Sequence, residues 1–146
     1  MGSAHGGFTG QERDAMKERA AELKTEAQRP RGGKRAAEEL DLLHKIQGMT
    51  EPDRLLAERI HLIVREEAPD LAPKLWYGQP AWARNGTVIC FFRSGHDDGE
   101  RYSTLGFTPQ ATLDDPEGVW ASSFAVTALS DAAVERIVVL VRKAVS

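Results

Sequence analysis

A single cysteine, Cys90, allows no disulfide within the chain and leaves a free thiol to be accounted for. Such usage suits a reducing compartment, and a cytoplasmic protein is the expectation. Long apolar runs are missing too. No stretch approaches the roughly 20 residues that span a bilayer, and the basic residues near the start lead into no apolar segment. Neither membrane insertion nor a secretion signal is expected. An excess of positive charge is also absent: 19 Lys and Arg stand against 22 Asp and Glu, a net of -3. That balance predicts no general attraction to nucleic acid or to anionic membrane. What remains is 146 residues, 41% of them hydrophobic, enough for one proper core and too little for two comfortable domains.

Most of the aromatic residues gather between Lys74 and Phe107. Asn85-Gly86 lies between two strand-like runs, Ala81 to Arg84 and Thr87 to Phe92, and both residues tolerate the positive φ of a type I′ turn. In the second run, alternation sends Val88, Cys90 and Phe92 one way and Ile89 and Phe91 the other. Both faces are apolar, which predicts a central strand covered at least in part on each side. Lys74 to Gly78 reads as a short strand before a bend at Pro80, and Arg101 to Phe107 as a returning strand. Val119 to Thr127 closes the set, anchored by Phe124 and Val126.

Helices flank this block. Thr9 with Glu12 forms a capping box, and Met16, Ala20, Leu23 and Ala27 then recur at helical spacing. That stripe is narrow, and Glu18 and Glu22 are expected on the outer surface. Residues 1–8 read as a flexible lead, and 28–35, with Pro30, Gly32 and Gly33 among four cations, as a mobile basic linker. Gly32-Gly33-Lys34 lacks the leading glycine and the following hydroxyl of a phosphate loop. A second helix over 36–47 turns Leu40, Leu43 and Ile46 inward. A third, capped by Thr50, buries Leu56, Ile60, Ile63 and Val64 until Pro69 stops it. Ser130 caps a last helix lined by Val134, Ile137, Val138, Val141 and Val145.

These elements together predict an α+β fold: an antiparallel sheet of four or five strands carrying the third and last helices on one face, with an N-terminal helical extension over 9–47. The extension, or a second subunit in a homodimer, is left to cover the other face.

The block Lys74-Leu75-Trp76-Tyr77-Gly78-Gln79-Pro80-Ala81-Trp82, the Asn-Gly hairpin, the Val-Ile-Cys-Phe-Phe strand, Tyr102-Ser103-Thr104-Leu105-Gly106-Phe107 and a closing amphipathic helix occur in a familiar order. Over residues 50–146 the chain resembles the YdhG-like (DUF1801) family of small bacterial proteins, grouped with YjbR-like and frataxin-like (CyaY-like) proteins. The best anchor is Tyr77-Gly78-x-Pro80, where the family carries a bulky apolar residue and this chain has Gln79. The resemblance implies an antiparallel sheet packed on helices. One branch is described as a frataxin-like iron chaperone, and the family supplies no catalytic residues to carry over.

Two groups of residues are candidates for a site. Trp76, Tyr77, Gln79, Trp82 and Tyr102 have the makings of a small-ligand or protein-docking surface, apolar walls with one polar handle. Equally, large rings are a common way to fill a small core. His96, Asp97, Asp98 and Glu100, then Asp114, Asp115 and Glu117, offer the hard donors that suit a weakly held Fe²⁺. Acidic residues beside Gly and Pro are ordinary turn formers, so no cofactor is expected beyond that weak iron. Ser103, Ser122 and Ser123 lack a nucleophile elbow, and Cys90 between apolar neighbours reads as inert, so a binding protein ranks above an enzyme.

Overall fold

The computed structural model describes residues 9–28 and 33–146. The expected lead over 1–8 and the centre of the basic linker, 29–32, lie outside the described residues. Four helices and five strands follow in the order α1 (Gly10–Gln28), α2 (Lys34–Gln47), α3 (Asp53–Glu67), β1 (Ala72–Trp76), β2 (Gln79–Arg84), β3 (Thr87–Arg93), β4 (Ser103–Phe107), β5 (Ser123–Val126) and α4 (Asp131–Ala144). The strands form one antiparallel sheet in chain order, β1 to β5. The α+β class and the five-stranded sheet are as the sequence pattern predicts.

Tight turns explain the meander. At Asn85-Gly86 the φ values are 50° and 81°, the left-handed pair a type I′ hairpin requires. Tyr77-Gly78 repeats that geometry at 53° and 74°. The chain therefore reverses at Tyr77-Gly78, and Pro80, expected to make the bend, sits inside β2 opposite Leu75.

One irregularity decides what each face carries. The β2–β3 register shifts between Trp82 and Ala83, placing one extra residue in β3. A bulge of this kind reverses the facing of everything beyond it. As a result Ile89, Cys90 and Phe92 all join the main core, while Val88 and Phe91 belong to a second cluster. The simple alternation expected for this strand is corrected accordingly.

The main core lies between the sheet and the helices. Trp82, Phe92 and Leu105 meet Ile60 and Val64 of α3, Leu42 and Ile46 of α2, and Ile137 and Val141 of α4, all buried. Each such aliphatic or aromatic side chain contributes roughly 1.5–3 kcal/mol on leaving water. Leu42, not Leu40, points inward from α2, and Leu40 is exposed. From Lys34 onward the N-terminal extension is thus part of the core. Arg35, expected in the mobile linker, donates to the carbonyl of Pro69 at 3.0 Å. Thr50 does not cap α3; Pro52 holds that place without a side-chain bond. Ser130 does cap α4, accepting from the Ala133 amide at 3.2 Å. The last strand is shorter than expected, leaving Val119 and Trp120 exposed before it.

On the opposite face, the second cluster is made of strand residues alone: Ala81, Ala83 and Val88 beneath Trp76 and Phe91. Phe91 lies across Gly106, where any Cβ would run into its ring.

Candidate functional site

Two connections at one end of the sheet, Tyr77-Gly78 and the loop between β3 and β4, bond to α1. Tyr77 is a bulky residue at positive φ, an arrangement that persists only where its surroundings hold it. Here Glu22 of α1 does so. Its two carboxylate oxygens accept the amide N–H groups of Tyr77, at 3.0 Å, and Gly78, at 2.9 Å. Successive amides in such a turn make a concave anion-binding nest. Arg19 lies 5.9 Å from the centre of the Tyr77 ring and 3.4 Å from Glu22. One helical turn further on, Glu26 accepts from the Lys74 ammonium at 2.6 Å. Burial opposes ionisation of Glu26, but Lys74, with Arg19 and Lys34, outweighs it and holds the carboxyl below its ordinary pKa. Glycine at 78 is favoured by its φ of 74°, and the Glu18 carboxylate lies over the space a Cβ would take.

α1 therefore docks through Glu22 and Glu26, with Glu18 lying over Gly78. Glu18 is exposed, as expected, but Glu22, also expected on the outer surface, turns to the Tyr77-Gly78 amides, and Met16 and Leu23 are 47% and 49% exposed. The apolar stripe is too narrow to compete with two unsatisfied amides and an ammonium.

Beside this turn stand the aromatic candidates. Trp76 packs edge-on against Tyr77 at 5.0 Å and tilts against Phe91 at 5.4 Å. Gln79 pairs with Trp76 across the β1–β2 register, so both present to the same face. Tyr77 is 39% exposed, and Trp76 and Phe91 are half-buried. A cleft of about 600 Å³ is lined by Tyr77 and Gln79, though not by Trp76 or Phe91, together with Gln11 and Glu18 of α1, Lys45, Arg93 and Asp98.

Two of the candidate rings lie elsewhere. Tyr102 sits in the β3–β4 connection, partly exposed, with Arg101 5.1 Å from its ring centre. Trp82 is fully buried on the helix-covered face, its indole N–H donating to Nδ1 of His61 at 3.2 Å. It fills the core and forms no wall of the surface. Phe91 and the α1 glutamates were not singled out from sequence. The four-residue spacing of Glu18, Glu22 and Glu26 was the available signal.

The His61–Trp82 pair carries a pH consequence. His61 is buried, its Nε2 has no partner among the described residues, and burial lowers its pKa, with Arg65 acting the same way and Glu39 opposing. A histidine held neutral binds fewer protons folded than unfolded. Stability is therefore expected to fall as pH drops below about 6.5, the unfolded value, and to level off below the lower folded one. Urea midpoints from pH 8 to 5 should show this slope, and His61→Phe should flatten it. Equal slopes in both proteins would refute the assignment.

The acidic candidates do not come together. Asp98 and Glu100 both pair with Arg93. The Asp97 amide donates to the Ser94 hydroxyl at 3.2 Å, and His96 is exposed. Asp115 accepts from the Glu117 amide at 2.8 Å as a turn former, and Asp114 is exposed. Among the described residues, no three His, Cys, Asp or Glu side chains gather closely enough to hold a metal ion. Asp53 holds the first of these loops from below. Its carboxylate accepts from the Ser94 hydroxyl at 2.6 Å and the His96 amide at 3.0 Å.

Cys90 is 1% exposed, and burial pushes its thiol up to about 12, so almost no thiolate is present near neutrality.

The arrangement defines a small α+β domain with an exposed aromatic cluster at one end of its sheet, and no helix among its described residues is long and apolar enough to cross a membrane. No family model, no curated protein and no solved structure matches the chain.

Proposed function

We propose that the protein is a non-catalytic binding protein of the YdhG-like kind, with a docking surface for a small molecule or a protein segment around Trp76, Tyr77 and Gln79. The observation that carries this reading is the half-exposed Trp76–Tyr77–Phe91 cluster, whose Tyr77, with Gln79, also lines a cleft of about 600 Å³. Rings held edge-on against one another offer apolar area at little entropic cost, and Gln79 and Arg93 supply oriented polar groups. The frataxin-like alternative draws no comparable support, because Asp98 and Glu100 already neutralise Arg93.

A fragment screen by NMR should find hits that shift Trp76, Tyr77 and Gln79. Trp76→Ala should abolish those hits while the core, built round Trp82 on the other face, stays folded. Hits confined to other surfaces, or hits that survive Trp76→Ala, would remove the surface from consideration.

A further inference from the structure

We propose that the Tyr77-Gly78 turn and Lys74 form a recognition site for a helix bearing glutamates at four-residue spacing, presented by a partner protein, and that α1 is its internal occupant. The proposal rests on the docking reading of the same end of the sheet and names the chemistry of the partner.

The site is complete on the body of the protein. Two amide N–H groups of a left-handed turn point at one carboxylate, at 3.0 and 2.9 Å. An ammonium on β1 takes a second carboxylate at 2.6 Å. Residues four apart on a helix stack on one face, so a glutamate pair at that spacing reaches both positions, as Glu22 and Glu26 do. Gly78, bare of a side chain, admits a third carboxylate from one turn earlier, where Glu18 now lies.

α1 is built like a removable ligand. Its largest apolar side chains are about half exposed and it contributes nothing to either hydrophobic cluster. Its hydrogen bonds to the body of the protein are those of Glu22 and Glu26, and Gln11 Nε2 donating to the Asp98 carbonyl, among the described residues. These contacts are few, and the Lys74–Glu26 pair, only 8% and 18% exposed, is the one that salt screens least. A helix held in this way opens at far lower free energy than the core. Its departure would leave two amides and Lys74 unpaired, which gives an acidic helix from elsewhere a reason to replace it.

The test uses the full chain and two synthetic Ala/Lys/Gln helices of identical composition. One carries glutamates at four-residue spacing; the other has them scattered round the helix. The first should shift the Tyr77 and Gly78 amide resonances and speed hydrogen exchange of the α1 amides, while the scattered peptide does neither. In a full-length Glu22→Ala/Glu26→Ala variant the internal competitor is weakened, and affinity for the spaced peptide should rise by roughly tenfold or more. Lys74→Gln in that background should reverse the gain. Equal action by the two peptides, or α1 amides that exchange only together with the core, would overturn the proposal. A concentration-dependent dimer exchanging α1 between copies would assign the site to a second copy and overturn the partner reading. Because the Gly78 amide and α1 exchange are read only here, and Trp76 and Gln79 only in the fragment screen, failure of one is separable from failure of the other.

Discussion

Trp82→Ala is expected to lower stability by about 3–5 kcal/mol, enough to leave a domain of ordinary stability at the edge of unfolding. The side chain is fully buried among Phe92, Leu105, Ile60 and Val64, and no backbone shift can refill so large a void without breaking the sheet register. The same change strips Nδ1 of His61 of its donor, leaving both ring nitrogens buried without a partner. Trp82→Phe keeps most of the volume and should cost less than half as much. Trp76→Ala is expected to cost only about 1 kcal/mol, because that ring is half-buried and covers small residues. Urea denaturation followed by far-ultraviolet circular dichroism separates the three. A Trp82→Ala protein melting within a few degrees of the native one would place Trp82 outside the core.

Asp53→Ala should cost about 2–3 kcal/mol and loosen the β3–β4 connection. Burial disfavours the charged carboxyl, but donors from Ser94, the His96 amide and Ser103 outweigh that and hold its pKa below the usual carboxylate range. The sign follows directly. A depressed folded pKa contributes stability that is present above the unfolded value near 3.9 and is lost as pH falls through the folded one. The native protein should therefore lose stability below about pH 4, while Asp53→Ala, already without the contribution, should lose less over the same interval. Asp53→Asn, which keeps one acceptor oxygen, should fall between them at pH 7. Hydrogen exchange at Gly95 and His96 gives the local readout. Unchanged protection there in Asp53→Ala would mean the loop is held by other bonds, such as that from the Gly95 amide to Ser103 at 2.9 Å.

Much of the fold is legible along the chain because its signals are local. Asn85-Gly86 forms the expected left-handed turn, Ser130 caps α4, and Ile60, Val64, Ile137 and Val141 line helical faces set by the three-to-four residue period. Trp76 and Tyr77 do sit at a partly exposed surface, while Trp82, five residues beyond Tyr77, lies in the core. The reason is strand alternation after a turn whose position was misread. Reversal at Tyr77-Gly78, with Pro80 inside β2, fixes which rings share a face.

Composition and periodicity by themselves determine an α+β domain with one core, a central apolar strand and an unreactive buried thiol. Tertiary structure alone decides three matters. A single extra residue in β3 gathers Ile89, Cys90 and Phe92 on one side, because a one-residue shift in register reverses every side chain beyond it. Arg93 draws Asp98 and Glu100 to itself, since a cation a few residues away in sequence is brought within bonding reach by the loop's return. Most of all, α1 turns Glu22 and Glu26 inward and leaves Met16 and Leu23 half exposed. The helix's own sequence holds both stripes. Which one docks depends on the two amide donors and the ammonium displayed by Tyr77, Gly78 and Lys74, some fifty residues away, and these become a binding surface only once β1 and β2 have paired.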